Sequence, residues 1–158
     1  MAKITGKVHS GISVKNLNVS IPFYCDILGL ELIGVEEPKR SRGEKLAVPG
    51  AFIQTAHLQI PGTMEQIELI EYKSPHPMFN YGVPVNTPGC IHIAFQVDNM
   101  EEMVSRLKER NVSFCSGDYD TIQGGPIDGW KWIYFKDPDG TNLELIEITK
   151  ENQVSRKA

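Results

Sequence analysis

Two stretches of the chain alternate apolar residues with small or polar ones, and each is followed by apolar positions at helical spacing. The alternating stretches run from His9 to Val14 and from His92 to Val97, and a period of two is typical of a strand. The helical stripes after them are Leu17, Ile21, Tyr24 and Leu28 in the first case and Met100, Met103, Val104 and Leu107 in the second. The pattern therefore predicts a strand followed by a helix at two places in the chain.

The limits of the two helices can also be predicted. Pro22 fits only in the first turn of the first helix, which places the N-cap near Asn18 or Ser20. The second helix begins with a capping-box-like sequence at Asn99. The expected helix ends are Gly29 and Asn111.

Three further strands are predicted after each helix. They are Glu31–Val35, Gln54–Ile60 and Gln66–Tyr72 in the first half, then Val112–Cys115, Lys131–Phe135 and Asn142–Thr149 in the second. The fold class is therefore α+β, with two tandem β-α-β-β-β modules in one domain that spans 1–158. The first module covers 7–73, a proline-rich linker covers 74–88, and the second module covers 89–150.

The two modules repeat each other in sequence. The stretch that starts at His9 and the one that starts at His92 match in the character of successive positions. Further on, Ile67–Tyr72 and Leu143–Ile148 share the sequence Glu-Leu-Ile-Glu. Two matches in the same order indicate an internal repeat of one structural unit.

The last strand of each module carries two glutamates on opposite faces. Glu68 and Glu144 occupy the same repeat position between apolar neighbours. Glu71 and Glu147 lie three residues further on, and period-two alternation places them on the other face, which we expect to be the solvent side.

Histidines at repeated positions complete a candidate metal site. A carboxylate between apolar neighbours is costly to bury unless a cation meets it, and one divalent ion would satisfy both repeated glutamates together with His9 and His92. Singly, each of these residues is more typical of a structural role, and only the repetition favours a shared site. Imidazole and carboxylate ligands suit Zn, Ni, Co, Mn or Fe. His57 and His76 lack repeat partners and are interpreted as surface or loop residues, with a position of His57 near the pocket as the alternative.

Composition excludes several classes of protein. The formal charge of −4 over 158 residues offers no general attraction for nucleic acid, and no apolar run approaches the roughly 20 residues that cross a bilayer. A cytoplasmic location without membrane association is expected. The three cysteines, expected to be buried small apolar residues, are Cys25, Cys90 and Cys115. A short basic cluster, either a solvated loop or a site for an anionic substrate tail, comprises Lys39, Arg40, Arg42 and Lys45.

Four segments resemble the vicinal oxygen chelate superfamily, which includes glyoxalase I, methylmalonyl-CoA epimerase, extradiol dioxygenases and bleomycin and fosfomycin resistance proteins. The segments are His9–Ile12, Phe23–Leu30, Gly89–Phe95 and Phe135–Leu145. The resemblance implies that the modules form a cupped, glyoxalase-like half-barrel of mixed sheet. It also implies metal ligands at His9, Glu68, His92 and Glu144, a small-molecule substrate with a carbonyl or vicinal oxygens, and a homodimer.

The ligand set resembles that of glyoxalase I and related epimerases, which implies a metal-dependent lyase, isomerase or epimerase. Glu144 is the first choice for the base that moves a proton next to a carbonyl, and Glu68 is the second. The chain lacks a basic set like the glutathione site of glyoxalase I, and Ala51–Leu58 lacks the acidic base of the epimerases. An iron-dependent extradiol-type dioxygenase and a non-catalytic binding or resistance protein remain alternatives.

The surroundings of the site are predicted less directly. Candidate apolar walls are Phe52, Phe79, Trp130 and Trp132. Of the tryptophans, Trp132 is expected in the core and Trp130 at the pocket. The loop Gly117–Gly129 is either a plain connection or a lid.

Overall fold

The computed structural model describes residues 1–38, 46–76 and 83–149. The chain divides into two compact units, Met1–Asn80 and Tyr81–Ala158. The described residues do not include the basic cluster at 39–45, Phe79 or the remaining residues 77–82 of the predicted linker. None of the described helices has the length and apolar character to cross a bilayer.

The first unit is a four-stranded mixed sheet with one short helix. Its elements are β1 (His9–Val14), α1 (Leu17–Pro22), a π-helical turn (Phe23–Ile27), β2 (Glu31–Val35), β3 (Phe52–Gln59) and β4 (Gln66–Ser74). The strand order is β1-β4-β3-β2, and only the β1–β4 pair is parallel.

The second unit repeats this topology. Its elements are β5 (Ile93–Val97), α2 (Met100–Glu109), β6 (Asp120–Thr121), β7 (Lys131–Lys136) and β8 (Asn142–Glu147). The order is β5-β8-β7-β6, again with one parallel pair, β5–β8. The predicted α+β class with two β-α-β-β-β units is confirmed.

One predicted strand is wrong. Residues 112–115 form no strand, although Phe114 makes an isolated bridge to Phe135. A turn in which the hydroxyl of Ser116 donates to the carbonyl of Asp118 interrupts the pairing. The edge strand β6 therefore forms later, inside the segment predicted as the loop Gly117–Gly129.

The start of α1 also differs from the prediction. Asn16 is the N-cap, and its side chain accepts a hydrogen bond from the backbone N–H of Asn18 at 2.9 Å. Pro22 therefore ends the regular helix and does not begin it. Because proline has no N–H to donate, the α-helical ladder cannot continue unchanged, and the chain proceeds as the π-helical turn.

The other predicted helix limits are confirmed. Asn99 caps α2 by accepting from the N–H of Glu102 at 3.1 Å. Gly29 and Asn111 follow their helices with φ of 84° and 56°, the left-handed conformation that commonly ends a helix.

Each sheet has one face covered by its helix. The fully buried residues of the first unit include Tyr24, Ala56, Leu58 and Leu69, and those of the second include Met100, Leu107, Phe135, Leu143 and Leu145. Since β4 and β8 alternate, the residues between these apolar positions face the other side of each sheet. Glu68 and Glu144 lie on the face opposite the helix.

Glu71 and Glu147 do not face solvent, contrary to the sequence prediction. The carboxylate of Glu71 accepts from the N–H of Leu17 at 2.9 Å, and that of Glu147 accepts from the N–H of Met100 at 2.6 Å. Each glutamate therefore caps the first turn of the helix on its sheet, where backbone N–H groups lack partners and negative charge is favourable. We call these two residues the capping glutamates.

The cysteines are also less buried than predicted. Cys115 is exposed, and Cys25 and Cys90 are partly exposed. Cys115 lies in the irregular segment between α2 and β6.

Replacing Glu147 with Gln is expected to lower the free energy of unfolding by about 1 kcal/mol at neutral pH. Burial alone raises the pKa of Glu147, but the hydrogen bond from Met100 and the ion pair with Lys131 outweigh it and leave this pKa below its ordinary value. A carboxyl whose pKa is depressed by folding stabilises the protein above its unfolded pKa and loses this effect as pH falls through the folded pKa. The difference between wild type and Glu147→Gln should therefore shrink on the acidic side.

Urea unfolding at several pH values measures this effect. Glu31→Gln, at an exposed position of β2, is the control and should change stability little. A wild-type-to-Glu147→Gln difference that stays constant from neutral to acid pH would contradict the assigned role.

Candidate metal centre

The first unit brings His9 and Glu68 together. In the parallel register of β1 and β4, His9 lies beside Gln66, two residues before Glu68, so both side chains share one face. The Nε2 atom of His9 is 3.4 Å from Oε2 of Glu68. The imidazole is 43% exposed and the carboxylate side chain 20%.

The second unit repeats this pair. His92 directly precedes β5, and because Ile93 lies beside Leu143, His92 has the same diagonal relation to Glu144. The Nε2 atom of His92 is 3.1 Å from Oε2 of Glu144, with the carboxylate side chain 11% exposed. The predicted residues therefore form two equivalent His–Glu pairs, one in each unit.

Glu144 lies in an environment that disfavours its charge. Burial raises the pKa of this carboxyl above its ordinary value, although the neighbouring His92 acts in the opposite direction. The anionic form of Glu144 would gain from a cation beside it, since a positive charge offsets the loss of hydration.

The pairs fit the chemistry of a divalent metal. Two atoms that each bind one ion at about 2.1 Å lie roughly 3 Å apart when they are adjacent ligands, and the observed Nε2–Oε2 distances of 3.4 and 3.1 Å agree with this spacing. Within the described ranges, no three His, Cys, Asp or Glu side chains are gathered as a ready metal site. Each unit by itself brings two candidate ligands together.

Two aromatic residues that sequence reasoning missed or misplaced share the face of Glu144. Tyr134 lies directly across from Glu144 in the antiparallel register, and its hydroxyl is 3.2 Å from Nε2 of His92. Trp132, two residues earlier, packs edge-to-face on Tyr134 with ring centroids 5.8 Å apart. Trp130 is 7% exposed, so the predicted roles are reversed: Trp130 is buried, and Trp132 lies on the face that carries the candidate ligand Glu144.

In the first unit the position that corresponds to Tyr134 is His57. It lies directly across from Glu68 between β3 and β4, and its Nε2 atom is 3.5 Å from Oε1 of Glu36. His57 therefore lies in a strand and not in a loop, with a side chain that is 32% exposed, and the alternative that placed it near the candidate ligands is favoured. The alternation of side chains along the two predicted strands could have revealed that His57 and Glu68 share a face.

The chain matches the Glyoxalase/Bleomycin resistance protein/Dioxygenase superfamily over residues 6–145. It belongs to this superfamily. It is 30% identical over 146 residues to 2-epi-5-epi-valiolone epimerase of an Actinomyces species, with 89% of this chain and 78% of the relative covered. It is also 30% identical over 144 residues to lactoylglutathione lyase of Salmonella typhimurium, with 89% and 90% covered.

A solved structure supports the same fold. A glyoxalase family protein from Bacillus cereus aligns with a TM-score of 0.78 at 23% identity, covering 92% of this chain and 95% of that one. The glyoxalase-like fold predicted from the four sequence segments is thereby confirmed.

Metal binding should be visible in the fluorescence of Trp132. Added Co²⁺ is expected to quench the tryptophan emission of the wild type, because Trp132 packs on Tyr134, which contacts His92. Most of the quenching should disappear in Trp132→Phe and persist in Trp130→Phe. Equal quenching of the two variants would contradict the placement of Trp132 beside the ligands.

Proposed function

We propose that this chain is a divalent-metal-dependent enzyme that moves a proton next to a substrate carbonyl, acting as a lyase, isomerase or epimerase. The observation that carries the proposal is the pair of equivalent His–Glu contacts at 3.4 and 3.1 Å. Membership of the superfamily adds support, as do relatives named an epimerase and a lyase.

His9, Glu68, His92 and Glu144 would hold the metal together, with each unit supplying half of the ligands. The imidazoles are neutral ligands, and the carboxylates balance the charge of Zn, Ni, Co, Mn or Fe in the divalent state. When bound, such a cation polarises a substrate carbonyl and makes the adjacent C–H more acidic.

Glu144 is proposed as the residue that takes the proton. Its carboxylate is the more buried of the two, at 11% exposure against 20% for Glu68, and exclusion of water favours transfer of a proton between substrate and side chain. Tyr134 lies across from this carboxylate and Trp132 packs on Tyr134, so the two rings would limit the access of water from one side. Glu68 serves chiefly as a ligand.

Metal content is the first test. Elemental analysis and Co²⁺ titration of the purified protein should give one divalent ion per chain. Two ions per chain would mean that each His–Glu pair binds separately, and no binding of any of the five metals would refute the proposal.

Proton transfer is the second test. Metal-loaded protein in deuterium oxide is incubated with hydroxy ketones, hemithioacetals of 2-oxoaldehydes and 2-branched acyl thioesters, and mass spectrometry measures deuterium at the carbon next to the carbonyl. We expect incorporation into at least one class, and none with metal-stripped protein. Oxygen uptake by iron-loaded protein with a catechol, without deuterium exchange, would replace the proposal with a dioxygenase.

We also propose a homodimer in the cytoplasm, with a small-molecule substrate and neither nucleic acid nor membrane as a partner. Superfamily resemblance supports the dimer. Sedimentation equilibrium should give twice the mass of the 17.7 kDa chain.

A further inference from the structure

The first sheet carries imidazole and carboxylate groups in alternation on three strands and directly after the fourth. In the order β1-β4-β3-β2 these are His9, Glu68, His57 and Glu36. Glu36 follows the end of β2, and its N–H donates to the carbonyl of Thr55 at 2.8 Å, which continues the pairing with β3. By alternation from Gly34, which lies across from His57, Glu36 belongs to the face of His57 and Glu68.

The His57–Glu36 pair is poorly explained by stability. Its two side chains are 32% and 37% exposed, and ion pairs with such exposure contribute little to folding. The neighbours of His57 on β3, Ala56 and Leu58, are fully buried on the other face and already fix the strand in the core. A polar pair on the ligand-bearing face, with part of its surface open, can instead meet a ligand.

The second unit uses the corresponding position differently. There Tyr134 contacts the proposed ligand His92, whereas His57 contacts Glu36 and not His9 within the described hydrogen bonds and ion pairs. The proposed metal ligands are the same in both units. The residues directly across from the glutamates are therefore one place where the two halves differ, and a difference of this kind can orient an asymmetric substrate.

We infer that His57 is a substrate-binding residue and that Glu36 is a positioning residue that fixes its ring. A carboxylate beside Nε2 favours the tautomer with its proton on that nitrogen, so that Nδ1 is a hydrogen-bond acceptor. An acceptor of this kind recognises an O–H group. The substrate class is a carbonyl compound with a further hydroxyl, beyond the oxygens that the metal site would hold. This inference rests on the proposed function and extends it.

Hydroxamates provide a test that does not depend on the unknown substrate or on turnover. Binding of acetohydroxamate, propionohydroxamate and butyrohydroxamate to Co²⁺-loaded protein is followed by visible absorption. Each is compared with the analogue that carries a terminal hydroxyl. In the wild type, at least one hydroxamate with a terminal hydroxyl should bind about tenfold tighter than the same hydroxamate without it.

Variants of His57 and Glu36 should remove the preference for the terminal hydroxyl without loss of the bound metal. His57→Phe should reduce the affinity ratio to about one, while His57→Gln, which keeps an acceptor, should retain part of it and serves as the second variant if His57→Phe folds poorly. Glu36→Leu should lower the ratio about threefold. His76→Phe, at an exposed position, should leave the ratio at the wild-type value.

The outcomes separate this inference from the proposed function. If the wild type binds no Co²⁺, the proposed function fails and the inference falls with it. If Co²⁺ binds but no hydroxylated hydroxamate is preferred, or the preference survives in both His57 variants, only the inference is overturned. Loss of Co²⁺ from both His57 variants would make His57 a metal ligand and would also overturn it.

Discussion

Replacing Glu144 with Gln is expected to slow metal-dependent deuterium exchange about a thousandfold, the usual contribution of a positioned general base. Glutamine keeps the shape and can still offer an oxygen to a metal, but it cannot take up the proton. The buried position of Glu144 beside Tyr134 should hold the amide in the place of the carboxylate. The measurement is the exchange rate at saturating Co²⁺ and saturating substrate.

Glu68→Gln is the matched variant from the other unit. Since Glu68 is proposed chiefly as a ligand, its replacement should raise the Co²⁺ dissociation constant but slow exchange at saturating metal by no more than about tenfold. A larger loss in Glu68→Gln than in Glu144→Gln would reverse the roles of the two carboxylates. Glu31→Gln should match the wild type.

His9→Ala and His92→Ala are each expected to weaken Co²⁺ binding at least about 100-fold. Loss of groups that only support a ligand already costs about 10- to 100-fold, and loss of the ligand itself should cost no less. The equivalent Nε2–Oε2 contacts predict similar losses for both variants. Isothermal titration with Co²⁺ measures both dissociation constants.

His76→Ala provides the control, because this exposed histidine belongs to neither pair. Its dissociation constant should equal that of the wild type. A large loss for His92→Ala together with no loss for His9→Ala would restrict the site to the second unit and remove the basis for a four-ligand centre. Circular dichroism of each variant separates lost binding from lost folding.

The repeat explains why so much of the fold could be predicted from the sequence. Strand alternation, the helical stripes and the residues that end the helices are local signals, and each occurs twice. The prediction of β2 as Glu31–Val35 agrees with the structure, as do the N-cap Asn99 and the helix end at Gly29. The pairing of each histidine with its glutamate follows from the same alternation.

The errors arose where a residue's role depends on what covers it. The alternation of side chains along a strand correctly placed Glu71 and Glu147 on the face opposite the candidate ligands. It could not show that a helix N-terminus lies on that face. For this reason the prediction that these two glutamates face solvent was wrong. Pro22 was misplaced because the first turn is where proline costs no hydrogen bond, whereas in this chain the helix changes to a π-helical turn directly after Pro22.

His57 and Tyr134 show a different limit. They occupy the same position across from a candidate ligand, but one is a histidine and the other a tyrosine. A comparison of residue types between the repeats therefore does not detect them. Strand register reveals the equivalence. The predicted roles of the two tryptophans were reversed because residues two apart would share one face of a strand, and the sequence does not show that β7 begins only at Lys131, after Trp130.

The capping glutamates also fix the register of the strands that carry the candidate ligands. If β8 slipped by one residue, Glu144 would turn into the apolar layer and Glu147 would leave the N–H of Met100. Each strand therefore has only one alignment that satisfies both of its carboxylates. The helix cap and the candidate metal site therefore constrain the same strand. Replacement of a capping glutamate can displace the candidate ligand on the opposite face of that strand.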